Sequence, residues 1–292
     1  MPPSGLLNLN KPAGITSRRA VDQVQRLCRP AKVGHAGTLD PLACGVLVVC
    51  VGAATRLIEY VQRMPKQYTG TFLLGRTSPT EDIEGEVTEL QGPPVPTLDA
   101  IVAAAGALTG EIRQRPPAFS ALKVGGRRAY DLARQGRPVD LEPRRVTVYS
   151  LTVEAYHYPR LTLRVECGAG TYVRSLGRDL AESLSTGAVM SDLVRTAIGG
   201  FRIEEAIQPE VLSPGAWRQH LRRPVAGVGG MPRLALSGAE AARIRHGQTI
   251  EKTVPEADAE ELAALDADGR LVAILARRGP GRLGPIRTFP AE

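Results

Sequence analysis

The apolar residues of this chain fall into segments of different period. Residues 46–51 (VLVVCV) form an uninterrupted apolar run, the mark of a short strand buried on both faces, which Gly52 closes. A helical pattern follows through Met64, and residues 68–74 alternate in the manner of a half-buried strand. Residues 98–108 have helical spacing, with Thr97 placed to cap the first turn. Residues 146–153 and 161–167 repeat with period two, and residues 156–160 between them read as a hairpin connection. Gly168-Ala-Gly170 breaks the second strand, and residues 172–184 predict a helix. Strands and helices in no strict βαβ rhythm predict an α+β core with a mixed, largely antiparallel sheet and helices packed on it.

Residues 200–232 shift towards Gly and Pro and read as a tether between a large body and a small C-terminal segment. That segment opens with Ser237-Gly-Ala-Glu240, the signature of a capping box, and Gly247 fits the far end of its helix. Apolar residues at 262–265 and 271–275 flank Ala267-Asp-Gly269, a hairpin signal whose Asp-Gly favours a type I′ turn. There is no internal repeat and no low-complexity tract.

Length and composition narrow the class. A chain of 292 residues predicts about two domains, and 43% hydrophobic with 23% charged residues is ordinary globular composition, not disorder. The longest apolar run is far below the roughly 20 residues a membrane helix needs. Met1-Pro-Pro-Ser-Gly5 lacks the basic and apolar regions of a signal peptide. Cys28, Cys44, Cys50 and Cys167 contain no CxxC pair and the four histidines no HExxH, so neither a disulfide framework nor a metal site is expected. A reducing cytoplasm is the expected compartment. The net charge of +7 and pI of about 9.5 favour a polyanionic partner. Of the basic residues 32 are Arg and five Lys, a bias that suits RNA because guanidinium groups fork phosphates and stack on bases. Abundant Ala, Gly, Pro and Val make coding bias a compatible explanation.

Four stretches carry candidate chemistry. Val33-Gly-His-Ala-Gly-Thr-Leu-Asp-Pro-Leu-Ala-Cys-Gly45 runs into the buried strand, and its glycines allow tight turns and close approach to a ligand. Pro41 keeps Asp40 out of the helical region, so the carboxylate sits on an extended loop, either as a catalytic group or as an Asx-turn residue. The loop is not a P-loop, since no GK[ST] follows, and the KH-like form of Gly34-His-Ala-Gly37 is a match of little weight. The second stretch is Gly168-Ala-Gly-Thr-Tyr-Val-Arg174 with Arg178. Arg178 has Glu182 four residues on, whereas Arg174 has no acid at helical spacing. Arg174 therefore takes an anion from elsewhere in the fold or from substrate, or it is a solvated surface arginine. Third, Lys66-Gln-Tyr68 puts a tyrosine at a strand start, where core packing is the plain alternative. Fourth, residues 111–150 hold nine basic against four acidic residues around Arg113-Gln-Arg-Pro-Pro-Ala-Phe119, a candidate RNA clamp. In the C-terminal segment six acids at 256–268 precede five arginines at 270–287, either plain solvated surface or a basic face for RNA.

Leu9-Asn-Lys-Pro-Ala-Gly14, Gly34-His-Ala-Gly-Thr-Leu-Asp-Pro-Leu-Ala43, Lys66-Gln-Tyr68, Ala118-Phe-Ser-Ala-Leu-Lys123 and Gly170-Thr-Tyr-Val-Arg174 resemble, in order and spacing, the motifs of the bacterial tRNA pseudouridine-55 synthases, the TruB family. The resemblance implies a pseudouridine synthase catalytic domain over 1–230, with a basic thumb insertion at about 113–145, and a β-rich PUA-like RNA-binding domain over 231–292. It implies that one uridine in the TΨC loop of tRNA (position 55) is flipped out and isomerised without cofactor or metal. By position it makes Asp40 the nucleophile, Arg174 the arginine pairing with it, and Tyr68 the ring that stacks on the base and a candidate proton acceptor. His35 matches the histidine that fills the vacated space, and Tyr172 and Leu193 match pocket-lining positions. Lys11 and Pro12 match a motif supporting the pocket, and Asp82, in the motif-like Ser78-Pro-Thr-Glu-Asp82, places tRNA or holds a turn. The substrate-binding set expected is thus His35, Tyr68, Tyr172, Leu193, Lys11 and Asp82. The expected partner is the TΨC stem-loop, with no membrane, no obligatory protein partner and a monomeric chain. Two other readings stand beside it: an RNA-binding or folding module without chemistry, and an isomerase guided by an RNA–protein complex.

Overall fold

The computed structural model describes residues 3–120, 122–124, 126–137, 141–252 and 260–291. Parts of the basic insertion (121, 125 and 138–140) and of the acidic run (256–259) lie outside the described residues. The fold is α+β and divides into two compact units. One comprises Met1–Pro41, Gly45–Met64 and Ile198–Glu292, the other Leu42–Cys44 and Pro65–Ala197. No helix among the described residues is long and apolar enough to cross a membrane.

In the first unit the strand Gly5–Lys11 runs antiparallel to Cys44–Val51, and Val33–His35 pairs with the end of the same strand. The uninterrupted apolar run is explained by its two neighbours. Val46, Val48 and Cys50 join one core with Leu57, Tyr60 and Val61, while Leu47, Val49 and Val51 join another with Ala20, Val21, Val24 and Cys28. The latter four come from the helix Ser17–Cys28, which the sequence reading passes over. Its apolar positions recur at helical spacing, and the Thr16 hydroxyl caps it by accepting from Arg19 N at 3.1 Å. The helical pattern expected after Gly52 forms as a 3-10 turn, Gly52–Leu57, followed by the short helix Ile58–Arg63.

Residues 200–232 are not a tether. They fold into four 3-10 turns, and Phe201, Leu212, Trp217 and Val228 are buried in the same two cores. Their backbone pairs with the first strand, Leu6 and Arg222 exchanging hydrogen bonds of 3.0 and 2.8 Å. Gly and Pro forbid a long repeating element here, but an apolar residue every few positions still buries the segment.

The C-terminal strands order as Arg233–Ala235, Glu261–Leu265, Leu271–Gly279, Arg282–Thr288 and Ile250–Glu251, the first pair parallel and the rest antiparallel. The capping box forms as expected: Ser237 Oγ accepts from Glu240 N at 3.3 Å, and Ser237 N donates back at 2.7 Å. The hairpin forms, but its turn is not type I′. Only Gly269 is left-handed there, with φ of 70°, and Asp266 closes the loop by accepting from the amides of Asp268 and Arg270. Ala263, Leu271, Ile274 and Phe289 pack into the core that holds Tyr60 and Val61, so this sheet shares apolar contacts with the rest of its unit.

The second unit is built on the sheet order Ala188–Ile198, Lys66–Leu74, Arg160–Cys167, Arg144–His157, Gly110–Gln114. The last four strands pair antiparallel in sequence. Thr97 caps the helix Leu98–Ala107, accepting from Ala100 N at 3.3 Å. Alternate residues of Lys66–Leu74 are buried, among them Tyr68, Gly70 and Phe72. The helix Val173–Ser183 covers that face: a Cβ on Gly70 would touch Val173, and one on Gly177 would sit 2.1 Å from the Phe72 ring. Gly177 is therefore required by close approach, not by backbone conformation. Gly177→Ala should cost about 1–3 kcal/mol through overpacking, outweighing alanine's helix preference. A thermal melt reads this as a lower Tm, and an equal or higher Tm contradicts it.

Candidate active site

Asp40 lies in a loop of the first unit, half-buried, with both chain neighbours held. On its N-terminal side the buried Ser17 hydroxyl donates to Leu39 O at 2.9 Å and accepts from Leu39 N at 2.8 Å. On its C-terminal side Pro41 O accepts from Gly14 N at 2.8 Å. Lys11, wholly buried, directs its ammonium at the carbonyls of Ile15 (2.7 Å), Pro12 (2.9 Å) and, more distantly, Pro41 (3.4 Å). Three carbonyl dipoles compensate a charge that could not otherwise be buried. Gly37, with φ of 106°, turns the chain in a conformation closed to other residues. His35 ends the short strand two residues before it and is half-buried.

In the second unit Arg174 opens the helix Val173–Ser183 and is buried. Its Nη1 donates to Thr80 O at 2.6 Å and lies 3.3 Å from the Asp82 carboxylate, and its Nη2 donates to Phe119 O at 3.1 Å. The anion missing from its own helix is thus supplied by the Ser78–Asp82 turn. Asp82 also holds that turn, accepting from Thr80 Oγ1 at 2.6 Å and Glu84 N at 3.1 Å. Arg178 does not use Glu182 as its hydrogen-bonding partner: it pairs with Glu81 and Asp179 and donates to Arg115 O at 2.8 Å. Burial pushes the Glu81 carboxyl up, against the pull of Arg178 and Ser175. Tyr172 caps the helix, its amide and carbonyl both held by the Gln114 side chain at 2.9 and 3.0 Å.

Tyr68 projects from the covered face of Lys66–Leu74, the same face on which Gly70 approaches Val173 and Leu193. On that face burial, reinforced by Arg195, pushes the Lys66 ammonium down to about 8. Burial pushes the thiols of Cys28 and Cys167 up to about 11 and that of Cys50 to about 12, so these cysteines are inert packing groups. Among the described residues no three His, Cys, Asp or Glu side chains gather as a metal-binding group.

The structure therefore brings Lys11 to the Asp40 loop, and Asp82 to Arg174. Ser17, Gln114 and Glu81 carry as much of the local geometry, and the sequence reading missed all three. Their partners are backbone groups or residues distant in sequence, which local spacing does not reveal.

The first unit thus carries a clamped aspartate loop, and the second carries a buried arginine on the helix Val173–Ser183 and Tyr68 on the sheet face that this helix covers. The family model for the TruB pseudouridylate synthase N-terminal domain matches residues 25–173, and that for the C-terminal part of tRNA pseudouridine synthase II matches residues 231–290. The tRNA pseudouridine synthase B of Arthrobacter sp. (strain FB24) is 41% identical over 298 residues, covering 98% of this chain and 96% of that protein. That of Thermobifida fusca (strain YX) is 40% identical, covering 98% of each. Among solved structures, a chain of a Cbf5-Nop10-Gar1 complex aligns with a TM-score of 0.74 at 25% identity, over 99% of this chain and 84% of that one. The chain belongs to the TruB family of pseudouridylate synthases. It is accordingly an isomerase that converts uridine in tRNA to pseudouridine, and its C-terminal sheet is the PUA-like part.

The Ser17 clamp yields a prediction. Ser17→Ala strands the buried amide and carbonyl of Leu39, which should cost about 1–3 kcal/mol. It should also lower kcat by releasing one flank of Asp40. Unchanged Tm and turnover would contradict the clamp.

Proposed function

We propose that this chain isomerises the uridine at position 55 in the TΨC loop of tRNA, by base flipping, with Asp40 as nucleophile and without a cofactor. The supporting observation is that the family's aspartate motif stands intact and that hydrogen bonds hold the residues on both sides of Asp40.

The reaction exchanges one bond for another. The N1–C1′ bond breaks, C5 bonds to C1′, the proton on C5 leaves and N1 receives one, so no oxidant or reductant is consumed. A carboxylate serves by attacking C6, by attacking C1′ or by assisting elimination at the sugar, and each route returns it unchanged. Arg174, steered by Asp82, supplies fixed positive charge to the site. Tyr68 gives the turning uracil a flat apolar contact and is the candidate acceptor for the C5 proton. His35 fills the space the flipped base leaves, which offsets part of the few kcal/mol of unstacking. Tyr172 and Leu193 line the base pocket. Lys11 and Asp82 act as supports of the Asp40 loop and of Arg174, given their burial and their partners. In this proposal the chain acts alone, as a monomer in the cytoplasm; its likeness over nearly full length to named tRNA pseudouridine synthase B relatives supports a tRNA substrate.

Its likeness to a chain of a Cbf5-Nop10-Gar1 complex favours, as a second reading, an isomerase that depends on an assembly with other molecules. Activity on an isolated TΨC arm with no added RNA or protein separates the two.

Asp40→Asn should bind tRNA as the wild type does and lose tritium release from uracil C5 by at least about a thousand-fold. Retained release in the purified variant removes Asp40 from the chemistry. The arginines of residues 113–145 and 270–287 should make tRNA affinity strongly salt-dependent, falling more than about tenfold between ~50 and ~200 mM. A flat salt response in a filter-binding titration would show that these arginines do not meet phosphates.

A further inference from the structure

Glu81 sits between the two groups of the turn that hold Arg174, the Thr80 carbonyl and the Asp82 carboxylate. Its φ of 63° is left-handed, a conformation that residues with a Cβ avoid. Four contacts keep it there. Its main-chain oxygen accepts from Met190 N at 3.0 Å, and its amide donates to Ser78 O at 3.1 Å. Its carboxylate is latched onto the helix Val173–Ser183, accepting from Ser175 Oγ at 2.7 Å and pairing with Arg178. Ser175 is fully buried, so the latch point cannot drift into solvent. Arg178 in turn holds the Arg115 carbonyl at the root of the basic insertion.

From this geometry we infer that Glu81 is a positioning residue for Arg174. Reversing the chain at Glu81 turns the Thr80 carbonyl and the Asp82 carboxylate towards one guanidinium. Anchoring the Glu81 side chain to Ser175 and Arg178, on the helix that carries Arg174, locks the turn and the guanidinium into one body. Without the latch the two acceptors that the turn offers Arg174 lose their tie to its helix, and the guanidinium loses its fixed position. The inference rests on the reading of Arg174 as part of the active site.

The test is single-turnover kinetics on full-length tRNA with Glu81→Gln, Glu81→Gly and, as a control, Arg174→Met, each shown folded by its thermal melt. Both Glu81 variants should lose about 10- to 100-fold in kcat, with KM within about threefold of wild type. Glycine relieves the backbone conformation yet lacks the latch, so a slow Glu81→Gly assigns the effect to the carboxylate. Wild-type kcat in either variant, or a rise in KM alone, overturns the inference. If Arg174→Met turns over as the wild type does, the active-site reading itself fails. If Arg174→Met is dead while the Glu81 variants are normal, only this inference fails. Should Glu81→Gln not fold, Ser175→Ala removes one of the two latch contacts. It should then slow kcat several-fold at constant KM, and an unchanged kcat is equally decisive against the latch.

Discussion

A guanidinium enters a protein interior only with its charge answered, and the buried contact between Arg174 and Asp82 is where this protein meets that condition. With side chains 5% and 4% exposed, neither group has solvent to fall back on. Removing either partner breaks a buried charge pair, and that costs far more than the pair is worth. Two backbone carbonyls, of Thr80 and Phe119, also accept from the same guanidinium. The Ser78–Asp82 turn, the helix start at Val173 and the root of the basic insertion are therefore not independent: each supplies or carries a group that the one guanidinium needs.

The Asp40 loop solves a related problem with a different cation. Lys11 is as deeply buried as Arg174, but it donates to the carbonyls of Pro12, Ile15 and Pro41, and its service is to fix the chain where Pro41 follows Asp40. A charged hydrogen bond to a carbonyl is stronger than a neutral one, so a buried ammonium organises several backbone groups at once. Ser17 acts on the other flank by neutral hydrogen bonds. A loop with no regular secondary structure is in this way hydrogen-bonded at the residues on both sides of Asp40.

How much of this was legible in the sequence depended on the range of the interaction. Residues 46–51 were readable as a strand because burial on two faces removes all polar residues. Thr97 and the Ser237–Glu240 box were readable because caps act within one turn. Arg174 could be seen to lack a local acid, and that absence pointed to a remote anion, though not to which one. The same local rule misled at Arg178, where Glu182 at helical spacing lost to Glu81, brought in by a left-handed turn no spacing predicts. Gly and Pro in 200–232 marked the absence of a repeating element and were mistaken for a tether. Trp217, Leu212 and Phe201 in that stretch were the contrary signal.

The choice of arginine at 174 follows from the same electrostatics. Burial lowers the proton affinity of any cation, and for Lys66 in this unit it brings the ammonium down to about 8, within reach of neutral loss of charge. A lysine at 174 would present one nitrogen where Nη1 meets Thr80 O and Asp82 and Nη2 meets Phe119 O. A guanidinium keeps its charge above any working pH and spreads it over a planar fork that three partners can share. Arg174 uses that fork: Nη1 serves the Thr80 carbonyl and the Asp82 carboxylate, and Nη2 the Phe119 carbonyl, so one side chain ties the Ser78–Asp82 turn and the root of the basic insertion to its helix.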